Sequence, residues 1–277
     1  MEDWHLIVIG DQKTPHHLFK DFDYFSPELQ DELYPELSKA LGWNNIQRRN
    51  IGYVEAFNQG ADIIATVDDD NIPYDGWGKT YLNEEIVADY YESINEVFDP
   101  LSVTNYPQLW HRGYPVELLK TKNLVNYKGK KKIIPLVQAD LWDGDPDIDA
   151  ICRITHQPNV KLNIEAPYFA DRISPFNSQN TFLSRKVFPD YFLFPFVGRM
   201  DDIWGSYVLQ SKFPGSVIYN KASVYQERNP HDLIKDMENE ILGYRKNLEL
   251  IHNLTDLEDI IPKESLEAYK VYKSYFK

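Results

Sequence analysis

The alternation of apolar and polar residues predicts a strand, a helix and a second strand near the start of the chain. Residues 4–9 form a short apolar run that ends at Gly10. Apolar side chains then recur at helical spacing over residues 47–58, and an apolar, β-branched run follows at 63–67. Strand, helix and strand with short connections form the repeating unit of a parallel sheet covered by helices. The pattern therefore predicts an α/β fold with a parallel sheet covered by helices.

Further elements are predicted along the rest of the chain. Residues 27–41 are acidic and have a helical pattern, and residues 203–209 also favour a helix. A short strand is predicted over 133–137 in a middle region rich in proline, asparagine and aromatic residues. The lysine cluster at 128–132 is typical of a solvated hairpin turn, and phosphate binding is its alternative interpretation. From Asp232 onward, apolar residues recur every three or four positions, which predicts a helix.

Length and composition indicate a globular protein with a substantial core. The 277 residues fit one large α/β domain, which we assign to residues 1–230, with a helical extension over 231–277 packed on it. The net charge of −14 argues against a nucleic-acid partner, because such a partner favours a basic face. An anionic nucleotide stays compatible with this charge, since a bound cation and a few arginines can reverse the local field.

Targeting signals are absent from the pattern. The start of the chain lacks the basic segment and long apolar core of a signal peptide. No apolar run approaches the ~18 residues that span a bilayer, so no integral membrane segment is expected. The single cysteine, Cys152, excludes an internal disulfide. Together these features predict a cytoplasmic protein; the oligomeric state is left open.

Three consecutive aspartates follow the predicted strand 63–67 and are the strongest chemical signal. Adjacent carboxylates repel each other and resist desolvation, and a divalent cation would relieve that conflict. On an extended segment Asp68 and Asp70 would share one side and could hold Mg²⁺ or Mn²⁺. Asp69, on the other side, is then a scaffold acid near the nucleotide. The alternative is a solvated turn after a core strand.

Two neighbouring segments favour a binding site over a turn. Ligands of parallel sheets bind beyond the carboxyl ends of the strands, and Gly10 and Asp11 would lie at the same edge as the aspartates. Arg48, Arg49 and Asn50 begin the helix before the acidic strand end, where free amides and guanidinium groups attract phosphate. The alternative for the arginines is a pair of surface cations.

Acidic motifs recur in the second half of the chain. Residues 138–150 carry five aspartates around Trp142, and Trp142 with Asp143 could form a sugar-binding platform or belong to a plain acidic loop. Asp201 and Asp202 precede a predicted helix; they could cap it, or one of them could act as general base toward an acceptor hydroxyl. His231 is a candidate metal ligand or a structural histidine.

These motifs, taken in order, resemble a known family. The chain looks like the STELLO-type glycosyltransferase domains and is more distantly similar to the plant reversibly glycosylated polypeptides, which are UDP-arabinopyranose mutases. The resemblance extends from about residue 4 to residue 235. It rests on the segments Val-Ile-Gly-Asp-Gln-Lys-Thr-Pro, Arg-Arg-Asn-Ile-Gly-Tyr, Val-Asp-Asp-Asp-Asn, Arg-Gly-Tyr-Pro, Ala-Asp-Leu-Trp-Asp-Gly-Asp-Pro-Asp-Ile-Asp-Ala and Arg-Met-Asp-Asp-Ile-Trp.

The resemblance implies a GT-A fold, a Rossmann-like α/β domain with a mixed, mainly parallel sheet flanked by helices. Its Asp-x-Asp motif holds Mn²⁺ or Mg²⁺ against the diphosphate of a nucleotide sugar. Asp68 and Asp70 match that motif, and Asp201 and Asp202 match the acidic pair that commonly includes the base on the acceptor side. The positions that match the nucleotide side are Gly10, Asp11, Lys13, Arg49 and Asn50.

Arg112 matches the arginine that becomes glycosylated in the plant mutases. Those proteins have a second arginine seven positions later, where this chain has Leu119. The departure weakens the mutase interpretation and leaves Arg112 as a candidate diphosphate or sugar contact.

The leading hypothesis is a metal-dependent glycosyltransferase, hexosyl or pentosyl, that transfers sugar from a nucleotide sugar, UDP-linked by preference, to a hydroxyl acceptor in glycan or polysaccharide synthesis. Asp202, with Asp201 as the other candidate, would be the base. One alternative is a UDP-sugar mutase that interconverts pyranose and furanose rings. A second is a non-catalytic module that binds a nucleotide sugar or glycan.

Overall fold

The computed structural model describes residues 4–164, 167–230 and 232–277. Its strands are β1 Ile7–Ile9, β2 Asp23–Phe25, β3 Ile63–Val67, β4 Asn71–Pro73, β5 Ile86–Ser93, β6 Val125–Ile133, β7 Val137–Gly144, β8 Tyr168–Ala170, β9 Asn180–Ser184 and β10 Val217–Gln226. Its α-helices are α1 Pro27–Leu33, α2 Pro35–Leu41, α3 Arg49–Asn58, α4 Ala150–His156, α5 Asp201–Lys212, α6 Leu233–His252 and α7 Lys263–Ser274. Short 3-10 helices connect several of these elements, among them Ile46–Arg48 before α3 and Gly198–Met200 before α5.

The main sheet is mixed and has the strand order β3-β9-β7-β10-β8-β5-β6, with β4 on β10. The predicted α/β fold with a mixed sheet flanked by helices is confirmed. The expected predominance of parallel pairing is wrong: among the described strands of this sheet, β10–β7 and β5–β8 pair in parallel, and the other five pairings are antiparallel. The antiparallel strand β9 lies between β3 and β7, so those two strands still run in the same direction.

The first strand does not join the main sheet. β1 pairs in parallel with β2 in a separate two-stranded sheet. β1, α3 and β3 line a common crevice with a volume of about 1200 Å³. The prediction that Gly10 and the aspartates share one sheet edge is therefore wrong, although Asp11 and Asp68 both line the crevice.

Local chemistry explains where the first helices begin and end. The acidic segment 27–41 forms two helices rather than one, because Pro35 disfavours helical geometry at Tyr34, which has φ −132° and ψ 50°. The predicted helix over 47–58 is present, and its α-helical part begins at Arg49. The predicted strand 63–67 coincides with β3.

The prediction of a hairpin turn at the lysine cluster is wrong. Residues 128–132 lie inside β6, which pairs with β5, and form no turn. The predicted strand over 133–137 is mostly the connection from β6 to β7. Lys132 and Lys128 form ion pairs with Glu85 and Glu92 of the β5 side, so the cluster has protein partners of opposite charge.

The C-terminal helices pack closely on the rest of the chain. The helix predicted from Asp232 onward is present as α6, and Asp232 caps it through hydrogen bonds from the backbone N–H groups of Ile234 and Lys235. Gly243 of α6 lies against Met200, and Tyr272 of α7 is fully buried. Within the described ranges, no helix combines the length and apolar character needed to cross a bilayer.

Candidate functional site

Charged side chains from several segments meet at one edge of the main sheet. β3, β7 and β10 run in the same direction, so their carboxyl ends lie at this edge together with the start of the antiparallel strand β9. Asp68 follows β3, Asp147 follows β7 and Arg228 follows β10. Ligands of α/β sheets bind at this kind of edge. The edge is the candidate functional site.

The three aspartates lie in a tight turn and not on an extended segment. The N–H of Asn71 donates to the carbonyl of Asp68 over 3.2 Å, which closes the turn. Asp68 faces Arg49, whereas Asp70 accepts a hydrogen bond from the N–H of Asn229 over 3.4 Å. Asp69 is exposed. The prediction that Asp68 and Asp70 share one side of an extended strand is therefore wrong in its geometry.

Arg49 connects the start of α3 to the acidic turn. Its Nη2 lies 2.7 Å from Asp68 Oδ1, and its Nη1 donates to the carbonyl and hydroxyl oxygens of Ser178, each over 2.9 Å. Burial raises the pKa of Asp68, and the nearby Asp147 and Asp202 add to the effect, against the opposing influence of Arg49. An added cation would stabilise the ionised form of Asp68.

Arg112 lies at the centre of the site. Its guanidinium donates to Asp147 through Nε over 3.0 Å and through Nη2 over 2.9 Å, and to Asp202 Oδ1 through Nη1 over 3.0 Å. Nη1 also donates to the carbonyl of Arg199. The residue is only 7% exposed. A role as a glycosylated residue or as a sugar contact does not fit this position, because the guanidinium is occupied by protein acceptors.

Asp147 is a central residue that sequence reasoning did not single out. Burial disfavours its charge, but Arg112 and the neighbouring His111 and Arg228 lower its pKa, so it stays ionised. It also accepts a hydrogen bond from the side chain of Asn177 over 2.7 Å. Its only sequence signal was membership of the aspartate-rich segment 138–150.

The acidic pair at the start of α5 has two different environments. Asp202 accepts from the N–H of Ser178 over 2.9 Å and pairs with Arg112, which lowers its pKa despite burial. Asp201 accepts from the side chain of Gln47 over 2.8 Å. Burial and the adjacent Asp202 raise the pKa of Asp201 to about 7. Of the two, Asp201 is therefore the group whose protonated form is favoured by its surroundings.

Two of the residues near α3 that we predicted to bind phosphate make their hydrogen bonds to other residues of the protein. Arg48 is buried and donates to Gln30 and to the carbonyls of Ser38 and Gly42. Asn50 is fully buried and exchanges two hydrogen bonds with the backbone of Leu193. Both side chains stabilise the fold. The prediction that they bind the nucleotide is therefore wrong.

The predicted sugar platform is also corrected. Trp142 is 2% exposed and belongs to the core, so it offers no ring face to a sugar. Asp143 accepts hydrogen bonds from the N–H of Leu162 and from the hydroxyl of Tyr74. The burial of Trp142 depends on tertiary packing, which cannot be read from a tryptophan and nearby aspartates in the sequence.

The Gly10 segment borders the crevice. The N–H of Gly10 donates to the carbonyl of Phe25, and a Cβ at Gly10 would collide with the ring of Tyr24. Asp11 accepts hydrogen bonds from the N–H groups of Asn44 and Asn45 over 2.8 and 3.2 Å. Lys13 is exposed. Asp11 stabilises a loop at the crevice wall through these hydrogen bonds, and they give no indication that it binds a ligand.

The described residues offer carboxylates for a metal ion but no complete ligand set. Among them, no group of three or more histidine, cysteine, aspartate or glutamate side chains could hold a metal. The candidate ligand His231 lies outside the described residues. Asp70 Oδ1 is buried and finds no hydrogen-bond partner in the described part of the chain. One or two carboxylates fit the usual mode of Mg²⁺, whose other ligands are water and substrate phosphates.

Comparison with known proteins supports the predicted resemblance. No family model matches the chain. The curated probable glycosyltransferase STELLO2 of Arabidopsis thaliana is 26% identical over 212 residues, covering 68% of this chain and 27% of that protein. Probable glycosyltransferase STELLO1 of the same plant is 26% identical over 209 residues, covering 67% of this chain and 27% of its own. The chain thus matches about a quarter of each relative, and its resemblance to a STELLO-type domain is confirmed.

Proposed function

We propose that the protein is a glycosyltransferase that transfers sugar from a nucleotide sugar, UDP-linked by preference, to a hydroxyl acceptor of a glycan with the help of Mn²⁺ or Mg²⁺. The observation that carries the proposal is the convergence of Arg49–Asp68 and Asp147–Arg112–Asp202 at the carboxyl edge of the sheet. The names of the two relatives support a general glycosyltransferase role.

The nucleotide is assigned to the crevice between β1 and β3. Its volume of about 1200 Å³ exceeds the roughly 300–1,000 Å³ of a typical small-molecule site, so a nucleotide fits. Apolar side chains of β1 line the crevice together with the charged side chains of Arg49 and Asp68. This arrangement gives an apolar wall for a base and charged groups for the diphosphate.

Asp70 and Asp68 would hold the metal ion. The unpartnered buried Oδ1 of Asp70 and the burial-raised pKa of Asp68 both favour an added cation. When bound, a divalent cation supplies charge stabilisation to the leaving diphosphate. Arg49 holds the Asp68 carboxylate by a charge-assisted hydrogen bond and so orients this side of the site.

Asp201 is the better candidate for the base. An efficient general base has a pKa near the working pH, and the pKa of Asp201 is raised to about 7. Asp202, which we preferred from the sequence, is held by Arg112 and Ser178 and its pKa is lowered. In this assignment Asp201 accepts the proton of the acceptor hydroxyl, and Asp202 anchors Arg112.

Equilibrium binding of UDP-sugars tests the donor assignment. We expect UDP-hexoses or UDP-pentoses to raise the melting temperature in Mn²⁺, because a ligand at a hundred times its dissociation constant stabilises the folded state by about 2.7 kcal/mol. Chelation with EDTA should remove most of the shift. Equal shifts with and without metal would indicate a non-catalytic binding module, and no shift with any nucleotide sugar would contradict the proposal.

A second experiment separates transfer from ring interconversion. The enzyme is incubated with a UDP-sugar and no acceptor, and the products are resolved by chromatography. We expect slow release of UDP and no ring-contracted UDP-sugar, because the Arg112 guanidinium is occupied by Asp147 and Asp202. Ring-contracted UDP-sugar formed at enzymatic rates would favour the mutase.

A further inference from the structure

Arg228 is a buried cation whose hydrogen-bonding capacity is not filled. Its side chain is 9% exposed, and its buried Nε has no hydrogen-bond partner among the residues that the structure describes. The carboxylate oxygens paired with it are Asp145 Oδ2, 3.4 Å from Nε, and Asp147 Oδ1, 3.9 Å from Nη2. Within the described ranges, Nη2 donates to two neutral acceptors, the carbonyl of Pro146 and the side chain of Gln226. An unfilled buried donor is costly, so such a group favours binding an acceptor.

The neighbouring arginines have closer partners. Arg112 makes direct hydrogen bonds to two carboxylates. Arg153 is as buried as Arg228, but its Nη1 donates to Asp145 Oδ1 and its Nη2 donates to the carbonyl of Pro146. Asp145 is thus committed mainly to Arg153. Burial lowers the pKa of Arg228 and also that of Arg153. The two arginines differ in geometry: within the described residues Arg153 donates a hydrogen bond to a carboxylate, and Arg228 does not.

Arg228 lies directly beside the acidic turn. The N–H of Glu227 donates to the carbonyl of Asp70 over 3.0 Å, and the N–H of Asn229 donates to Asp70 Oδ2 over 3.4 Å. Glu227 and Asn229 are exposed, so the segment borders solvent. Asp70 Oδ1, the buried acceptor without a partner, belongs to the same turn. An unfilled cation and an unfilled carboxylate oxygen thus lie on adjacent segments.

We propose that Arg228 binds a phosphate oxygen of a nucleoside diphosphate whose metal ion is held by Asp70. The assignment rests on the proposed function and adds a residue to its donor site. A guanidinium matches phosphate oxygens through paired N–H donors, and its Nε is available here. Because negative charge grows on the leaving diphosphate as the glycosidic bond breaks, the contact strengthens in the transition state.

Calorimetric titrations with UDP and uridine, both in Mn²⁺, test the assignment. We expect Arg228→Gln to weaken UDP binding roughly ten- to a hundredfold, the range for lost hydrogen bonds to charged groups. Uridine, which lacks phosphate, should bind the variant as it binds the parent. Arg228→Lys keeps the charge but has no Nε donor, so it should show an intermediate loss and guards against misfolding of the glutamine variant.

Arg153→Gln is the matched control. Arg153 has the same side-chain exposure as Arg228 and shares Asp145 and Pro146 as partners, but its donors are already engaged. This variant should lose stability and keep the parental affinity for UDP. Equal weakening of UDP and uridine in Arg228→Gln, or an unchanged affinity for UDP in both Arg228 variants, would overturn the assignment.

Inorganic pyrophosphate with Mn²⁺ separates this assignment from the proposed function. If the parent binds pyrophosphate and not UDP, the nucleotide donor is wrong, and the role of Arg228 is decided by pyrophosphate alone. Weaker pyrophosphate binding by Arg228→Gln than by Arg153→Gln would support the phosphate contact. Equal binding by the two variants, or no pyrophosphate binding by the parent, would contradict it.

Discussion

Asp201 and Asp202 are adjacent in sequence but have opposite electrostatic surroundings. Arg112 and the N–H of Ser178 stabilise the charge of Asp202, whereas burial and that same charge raise the pKa of Asp201. When two interacting carboxyl groups are pushed apart in this way, one stays ionised and the other becomes an acid or base near neutral pH. The pair therefore divides into an anchor and a base.

Asparagine variants of the two aspartates should affect different properties, turnover in Asp201→Asn and stability in Asp202→Asn. Asp201→Asn should lower kcat roughly a hundred- to ten-thousandfold, the usual contribution of general base catalysis, and leave UDP binding intact. Asp202→Asn removes a charged partner of buried Arg112 and should cost about 1.5–3 kcal/mol of unfolding free energy. Steady-state kinetics and urea unfolding measure the two effects. Similar kinetic losses in both variants, with unchanged stability, would contradict the division.

The pH dependence of turnover follows from the raised pKa of Asp201. A base must be unprotonated, so kcat/KM should rise with pH through about 7 as Asp201 loses its proton. The rise should vanish in Asp201→Asn. Asp149 provides a control, because burial also raises its pKa to about 7 although it caps α4. If the pH dependence is lost in Asp149→Asn and kept in Asp201→Asn, the titrating group is Asp149, and the assignment to Asp201 is wrong.

At the scale of elements, α6 holds the two loops that carry the site acids. Glu240 is fully buried; it lies 2.9 Å from the Nε of Arg199, and its carboxylate accepts from the N–H of Ala150 over 2.7 Å. Arg199 precedes the Asp201–Asp202 pair, and Ala150 follows the segment of Asp147. One carboxylate thus fixes the spacing between the start of α4 and the start of α5.

Removal of this carboxylate should be costly. Glu240→Ala leaves Arg199 with Asp236 as its carboxylate partner, at 3.3 Å, and removes the acceptor of the Ala150 N–H, so it should cost about 1.5–3 kcal/mol, the range for hydrogen bonds to charged groups. Glu249→Ala lies on the same helix, but its pair with Lys246 is exposed, and it should change stability little. Urea unfolding compares the variants. Equal stability losses would show that α6 does not hold the loops through Glu240.

The sequence predicted elements whose apolar pattern is local. The predictions of β3, α3 and the helix from Asp232 onward follow from the spacing of apolar residues. The sequence did not reveal that β1 pairs with β2, or that the lysine-rich β6 is a strand at the edge of the sheet. Lysines on an edge strand protect it from pairing with other chains, and they also hide its strand pattern.

The sequence predicted some residues of the site and missed others, because it records local patterns and not long-range contacts. Arg49 and Asp68, which we predicted as neighbours from the start of α3 and the end of β3, are in direct contact, and Asp202 shares Ser178 with Arg49. Their partners Asp147 and Ser178, and the candidate Arg228, depend on long-range contacts that no local pattern records. Trp142 was misjudged because exposure is a property of the packed structure.

At the scale of the whole molecule, the C-terminal helices share the main core. Tyr272 of α7 is fully buried, donates to the carbonyl of Phe188 over 2.6 Å and contacts the ring of Phe192 at 5.0 Å between centroids. Side chains of α6 and α7 belong to the same apolar cluster as those of α5 and β7. The boundary predicted near residue 230 therefore separates segments that pack together.

Shared packing predicts that the molecule unfolds as one unit. Calorimetry should show a single transition, and tryptophan fluorescence and far-ultraviolet circular dichroism should change together. Tyr272→Ala should lower the temperature of that whole transition, because removing a large buried aromatic side chain costs about 3–5 kcal/mol. A separate early transition of the C-terminal helices would instead support an independent extension.

Metal-dependent turnover of a nucleotide sugar tests the central claim most directly. UDP release from a panel of UDP-sugars is measured in Mn²⁺, after chelation with EDTA, and with the variant Asp70→Ala, whose parent residue has a buried unpartnered oxygen. We expect release by the parent in Mn²⁺, loss of that activity with EDTA, and at least a roughly hundredfold decrease in Asp70→Ala, in line with the loss of electrostatic stabilisation at a leaving group. Equal rates under all three conditions, or no release from any UDP-sugar, would contradict the proposed function.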